Sequence, residues 1–179
     1  MENNILFTHK DLVEKSKIGN RSAQFQLYEL YVNAMYNTCM RFGSSKEDAE
    51  DLVQESFIEA FKNLERFRYE STFGSWLKKI VINKSINFLK LKKMPIIAFE
   101  SQDYYLSKDS DENIETLNIE KIKKGIDLLP NGFKQIISLY LIEGYDHNEI
   151  SEILSINLST SKSQYHRAKK KLIEIINTL

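Results

Sequence analysis

The sequence predicts an all-α protein built as two small helical domains joined by a flexible acidic linker. Three observations carry this expectation. Apolar residues recur at intervals of three and four almost throughout. Two prolines and six glycines are too few to punctuate a β-rich chain of 179 residues. From Met94 to Asn113 the period stops, and PIIAFESQDYYLSKDSDEN is polar, acidic and aperiodic. Domains over residues 1–93 and 114–179, with a linker over 94–113, follow from these breaks.

The first domain reads as a three-helix bundle. Phe25, Tyr28, Val32, Met35, Tyr36 and Cys39 form one stripe, which Gly43 interrupts. Ser44-Ser45-Lys46-Glu47 offers a capping box for a second helix carrying Ala49, Leu52, Val53, Phe57, Ala60, Phe61 and Leu64. After a turn at residues 68–71, a third helix presents Phe73, Trp76, Leu77, Ile80, Val81 and Phe88. In the second domain helical spacing resumes with Ile114, Leu117, Ile122 and Ile126. Pro130 then opens a helix with Phe133, Ile136, Ile137, Tyr140 and Leu141 on its inner stripe, ended by Gly144. Two short helices follow over residues 146–154 and 159–172.

Composition narrows the function. The 42% apolar content is enough for packed cores, and 25 basic residues cancel 25 acidic ones, so no uniformly basic coat exists. One cysteine, Cys39, excludes an internal disulfide framework and a four-cysteine zinc site, and its apolar helical face marks a buried, inert thiol. His9, His147 and His166 are scattered, and no Gly-rich phosphate loop is present, so no catalytic, metal or cofactor site is expected. Apolar runs such as Ile80-Val81-Ile82 fall far short of the about 20 residues of a membrane span. With no basic and apolar leader at the N-terminus, a reducing, cytoplasmic setting is expected.

Charge, though balanced, is segregated. Between Glu70 and Glu100 there is no acid but six lysines: Lys78, Lys79, Lys84, Lys90, Lys92 and Lys93. Between Glu152 and Glu174 stand Lys162, Arg167, Lys169, Lys170 and Lys171, again without an acid. Glu47, Asp48, Glu50, Asp51, Glu55 and Glu59 crowd one helix. Basic helices neutralise phosphates and release counterions, whereas the acidic helix would repel DNA and suits a basic protein partner.

Residues 146–172 have the grammar of a helix-turn-helix. Asp146 is placed as N-cap, Ser155-Ile156-Asn157 makes the turn, and Ser159 or Thr160 caps the second helix. Small Ser151 would let the helices cross closely. The second helix would enter a major groove with Ser161, Lys162, Gln164 and Tyr165 toward the bases and Lys169, Lys170 and Lys171 on phosphates. In the first domain Phe67, Tyr69, Phe73 and Trp76 interleave with lysines, a pattern that fits either core packing or stacking on unpaired bases. Asn83 and Asn87, one turn apart, present two amides on the same face. Residues 68–71 would pocket an extruded base.

DAEDLVQESFIEAFKNLERF followed by STFGSWLKKIVINKSINFLK resembles region two of the extracytoplasmic-function group of sigma-70 factors. LLPNGFKQIISLYLIEGYDHNEISEILSINLSTSKSQYHRAKKKL resembles their region four. The likenesses run over residues 25–92 and 114–172, in the family's order. The resemblance implies a non-enzymatic factor that binds core RNA polymerase through its β′ coiled coil and β flap, recognises promoter DNA and helps open it, and is held in check by an anti-sigma factor. It places Asp48, Asp51, Leu52, Gln54 and Glu55 on the β′ surface. Phe67, Arg68, Tyr69, Ser75 and Trp76 match the strand-opening segment, and Lys79, Asn83, Lys84 and Asn87 the minus-10 helix. Thr160, Lys162, Ser163, Gln164, His166, Arg167 and Lys170 match the minus-35 helix. Gln164 stands where the family usually has Arg, Ser161 where it has an apolar residue, Asn87 where Asp is common, and Ser155 in place of the turn glycine. The rival readings are a stand-alone helix-turn-helix regulator, which requires a symmetric dimer, and a helical adaptor, which requires no DNA binding.

Overall fold

The computed structural model describes residues 7–42, 44–92 and 119–179. The expected linker, together with Lys93, Ile114 and Leu117, lies outside the described residues. The chain divides into two compact units, over residues 1–92 and 93–179, and every regular element among the described residues is helical.

The first unit holds α1 (Lys10–Lys17), α2 (Arg21–Arg41), α3 (Lys46–Lys62), a 3-10 turn (Leu64–Arg66) and α4 (Phe73–Leu91). The three expected helices are present, and α1 is an addition. Eight residues with few apolar positions make a weak periodic signal, so α1 depends on packing against α2 rather than on its own propensity. Side-chain caps start the others: Asn20 accepts from the Ala23 amide, Ser45 from Asp48 and Thr72 from Ser75. Helix α2 packs on α1, α3 and α4, and α3 packs on α4. Leu27, Met35, Cys39, Val53, Phe57, Phe73, Leu77 and Val81 fill the core. Phe25, expected on the inner stripe of α2, is instead 59% exposed. The buried stripe is set by Ala23, Leu27, Met35, Thr38 and Cys39. Cys39 is buried, which raises its thiol pKa, with the Ser85 hydroxyl 3.5 Å from its sulfur.

The second unit holds α5 (Ile119–Asp127), α6 (Asn131–Ile137), a π-helical turn (Ser138–Ile142), α7 (His147–Leu154) and α8 (Leu158–Thr178). Pro130 precedes α6 with φ −53°, ready for a helix start. Helices α5, α6 and α7 all pack on α8, burying Ile126, Ile136, Ile137, Leu139, Ile150, Leu154, Ala168 and Leu172. Lys134, 8% exposed, is held by Asp127 at 3.0 Å.

Helix α4 comes close to α2 at Gly74, where a Cβ would lie 2.7 Å from Cε1 of Tyr31. That ring packs edge-on to Phe73 at 5.3 Å and to His9 at 5.9 Å, which limits its retreat. Gly74→Ala is expected to lower unfolding free energy by about 1–3 kcal/mol through overpacking, measured by chemical denaturation of the full chain.

Candidate nucleic-acid interface

Helix α4 divides its residues by face. Phe73, Leu77, Val81, Ser85 and Leu89 point inward, while Lys79, Asn83 and Asn87 are exposed at successive i+4 positions and share the outer face. Beside it, α3 exposes Glu47, Glu50, Asp51, Gln54, Glu55 and Glu59. Ion pairs join the two helices. Lys84 Nζ lies 3.0 Å from Glu59 and 3.4 Å from Glu55, and Lys92 Nζ 2.8 Å from Asp48. Burial works against the Lys84 ammonium, but Glu59 and Glu55 outweigh it and raise its pKa. Hydrogen bonds from Lys92 and Ser45 hold the Asp48 carboxyl below its ordinary value. Asp48, Asp51, Gln54 and Glu55 therefore lie on one acidic surface, but Leu52 does not. It is 5% exposed and belongs to the core, because position 52 falls on the inner stripe of α3.

The segment between the 3-10 turn and α4 closes over an aromatic cluster. Phe67 is 4% exposed, with ring centroids 4.7 Å from Tyr69, 5.3 Å from Trp76 and 6.1 Å from Phe73. It is a core residue rather than the DNA contact expected from its sequence position. Trp76 is half-buried on Phe67 and Phe73, while Arg68 and Ser75 are exposed. Tyr69 has φ +61°, a left-handed conformation rare outside glycine. Its hydroxyl donates to Glu14 Oε1 at 2.6 Å, and burial together with this carboxylate drives its pKa far up. Glu14 in turn pairs with Lys17 at 2.9 Å, and Lys17 Nζ donates to the Phe67 carbonyl at 3.4 Å. Glu14 and Lys17 were not readable as site residues. Their partners lie 55 and 50 positions away, beyond any local pattern.

In the second unit the helix-turn-helix forms on α7 and α8. Asp146 caps α7 with a full capping box: its Oδ1 accepts from the amides of Asn148 and Glu149, and Glu149 accepts from the Asp146 amide. Ser155 ends α7 at φ 57°, ψ 47°. Helix α8 starts at Leu158, flanked by Asn157, two to three residues earlier than a Ser159 or Thr160 cap implies. The Asn157 carbonyl already accepts from the Ser161 amide at 2.9 Å.

The two helices are clasped by His147 and Ser161, whose Nδ1 and Oγ share a 3.0 Å hydrogen bond. Ser151, expected at the crossing, is partly exposed and donates within its own helix to the Asn148 carbonyl. Tyr140 stacks on His147 at 4.8 Å and lies 4.3 Å from Tyr165. Ser161 and Gln164 are 0% and 7% exposed, so neither reaches a groove from its present place. They open the buried stripe Ser161, Gln164, Ala168, Leu172, Ile176, a three-and-four spacing that was the available sequence signal for an inward Gln164. The outer face of α8 carries Lys162, Ser163, Lys169 and Lys170 exposed, and Thr160, His166 and Arg167 partly so. Among the described residues no cluster of three or more His, Cys, Asp or Glu side chains could hold a metal ion. No helix there is long and apolar enough to cross a membrane.

Residues 27–93 match the family described as Sigma-70 region 2, and residues 119–172 match Sigma-70, region 4. The chain is 32% identical over 185 residues to the ECF RNA polymerase sigma-E factor of Haemophilus influenzae, covering 96% of this chain and 97% of that protein. It is 29% identical over 177 residues to the ECF RNA polymerase sigma factor SigW of Bacillus subtilis, covering 91% and 94%. Among solved structures it is similar in fold to the sigma factor RpoE bound to the anti-sigma factor NepR from Bartonella quintana. That match has a TM-score of 0.53 and 22% identity over 85% of this chain and 95% of the other. It is likewise similar to CnrH in complex with the cytosolic domain of CnrY, with a TM-score of 0.52 and 21% identity over 93% and 96%.

Two outcomes follow from the helix-turn-helix geometry. Ser155→Gly removes a left-handed conformation from a residue with a Cβ and is expected to raise stability by about 0.5–1 kcal/mol, read from denaturant midpoints. Burial first, and Lys162 second, lower the His147 pKa from 6.5 against a raising effect of Asp146. The unfolded chain therefore binds this proton more readily. Stability is full above pH 6.5 and falls as the pH drops from there through the lowered folded-state value. Melting curves between about pH 7.5 and about pH 5.5 are expected to show this loss, and His147→Gln to flatten it.

Proposed function

The chain belongs to the extracytoplasmic-function group of sigma-70 factors, and we propose that α3 docks on core RNA polymerase while α4 and α8 read the two promoter elements. The observation that carries this reading is the separation of charge onto outer helix faces: an acidic α3 packed beside a basic α4 in one unit, and a basic α8 in the other. As a sigma factor the protein acts in transcription initiation, and the chemistry of RNA synthesis is left to the polymerase. Asp48, Asp51, Gln54 and Glu55 meet the basic β′ coiled coil, where opposite potentials speed and orient association. The second unit meets the β flap.

On the minus-10 element, Lys79 and Lys84 follow the phosphates and Asn83 and Asn87 hydrogen-bond exposed bases. Arg68, Ser75 and Trp76 border the place where a base leaves the duplex. On the minus-35 element, α8 lies in the major groove with Thr160, Lys162, Ser163, His166 and Arg167 forward and Lys170 on the backbone. Leu52, Phe67 and Gln164 contribute from the inside, by holding α3, the opening segment and α8 in place. An anti-sigma factor, the kind of partner present in the RpoE structure, would compete with polymerase by covering the acidic face of α3.

Mixing the protein with sigma-free core polymerase from its host is expected to give a one-to-one complex on size exclusion. Asp51→Lys with Glu55→Lys is expected to weaken that complex at least about a hundredfold, with the helical circular dichroism unchanged. Asp51→Lys alone leaves the Lys84 pairs in place and is expected to cost at least about tenfold. Retained binding by both variants removes α3 from the interface. A symmetric dimer on a palindromic site, with no polymerase complex, supports the stand-alone regulator instead.

A further inference from the structure

The contacts between α1 and the segment over residues 67–72 have no role in the surfaces above. That segment joins the 3-10 turn to α4, and a base leaving the duplex needs it already in place. Ordering a residue costs backbone entropy, so a surface fixed in advance opens DNA more readily than one assembled on contact. Contacts from α1 and from neighbouring rings fix it here. The Tyr69 hydroxyl donates to Glu14 at 2.6 Å. Lys17 pairs with Glu14 at 2.9 Å and donates to the Phe67 carbonyl at 3.4 Å. The Lys17 ammonium lies 4.9 Å from the Tyr69 ring centroid. Phe7 packs on the same ring at 5.5 Å and Phe67 at 4.7 Å.

A ring surrounded in this way is an anchor and not a stacking platform. Its left-handed backbone, φ +61°, is retained because these contacts over-determine it. The neighbours it separates, Arg68 and Glu70, are both exposed.

We infer that Glu14 and Lys17 of α1 are positioning residues for promoter opening, which lock the segment at 67–72 through Tyr69 so that Arg68 and Trp76 receive the extruded base. This deepens the sigma-factor reading and rests on it. Tyr69 is thereby moved from contacting DNA to holding the group that does. Two substitutions remove the lock with little loss of packing: Tyr69→Phe deletes the hydroxyl and keeps the ring, and Glu14→Ala deletes its acceptor. Glu14→Gln keeps a carbonyl oxygen that accepts the same hydrogen bond.

The test is run-off transcription by reconstituted holoenzyme. One template is a duplex promoter selected by the wild-type holoenzyme from a random library. The other is the same sequence with a non-complementary bubble over its minus-10 element. Tyr69→Phe and Glu14→Ala are expected to initiate about five- to tenfold less on the duplex and within about twofold of wild type on the bubble. Glu14→Gln is expected to stay within about twofold on both, and all variants to bind core polymerase as wild type does. Equal losses on the two templates would mark a folding defect and overturn the lock, as would full activity of Tyr69→Phe and Glu14→Ala on the duplex. A wild-type holoenzyme inert on both templates overturns the sigma-factor reading itself.

Discussion

The packing of α3 against α4 is the constraint on which the first unit depends. Each helix spends one stripe on the core: Leu52, Val53 and Phe57 on α3, Leu77, Val81 and Leu89 on α4. Whatever remains faces outward, and on α3 it is acidic while on α4 it is basic and amide-bearing. A fully buried Leu or Phe contributes about 1.5–3 kcal/mol, whereas an exposed ion pair contributes about 0.2–1 kcal/mol. Apolar burial therefore sets where the helices lie, and the Lys84 and Lys92 pairs form because packing has brought opposite charges together. One arrangement creates an acidic surface and a basic, amide-bearing surface side by side.

The second unit solves a related problem with less apolar material. Helix α8 exposes Lys162 in its leading turns, yet also buries a stripe against three helices. Its first buried positions are accordingly polar, Ser161 and Gln164, and the apolar stripe begins only at Ala168. A buried hydroxyl needs a partner, and His147 supplies it at 3.0 Å. The same imidazole stacks on Tyr140, so the π-helical turn, α7 and α8 meet at one group. Burial and the neighbouring Lys162 favour its neutral form.

Helix α1 shows how a short element outside the main pattern acquires a role. Asp11–Lys15 and Glu14–Lys17 pairs support it along its own length. The second pair also reaches across to Tyr69 and the Phe67 carbonyl. An aromatic cluster of Phe67, Tyr69, Phe73 and Trp76 thus has an apolar floor and a charged clasp. The floor fixes Trp76, and the clasp fixes the backbone that leads into α4.

The helical class, the two-unit division, the inner stripes of α3 and α4, the Asp146 cap and the segregation of charge could all be read from residue order. Each is encoded within one or two turns of chain, by period or by a cap three residues from its target. That code tells which residues share a face but not which neighbour the face meets. Phe25 is apolar and in register, yet exposed, because α2 is apolar on several sides and its neighbours chose another stripe. Leu52, Phe67 and Gln164 matched contact positions by order along the chain, and packing turned all three inward. The α3–α4 ion pairs and the Glu14–Tyr69 bond join residues 25 to 55 positions apart. Only the folded chain brings such pairs within hydrogen-bond reach, so the charges were visible beforehand and their pairing was not.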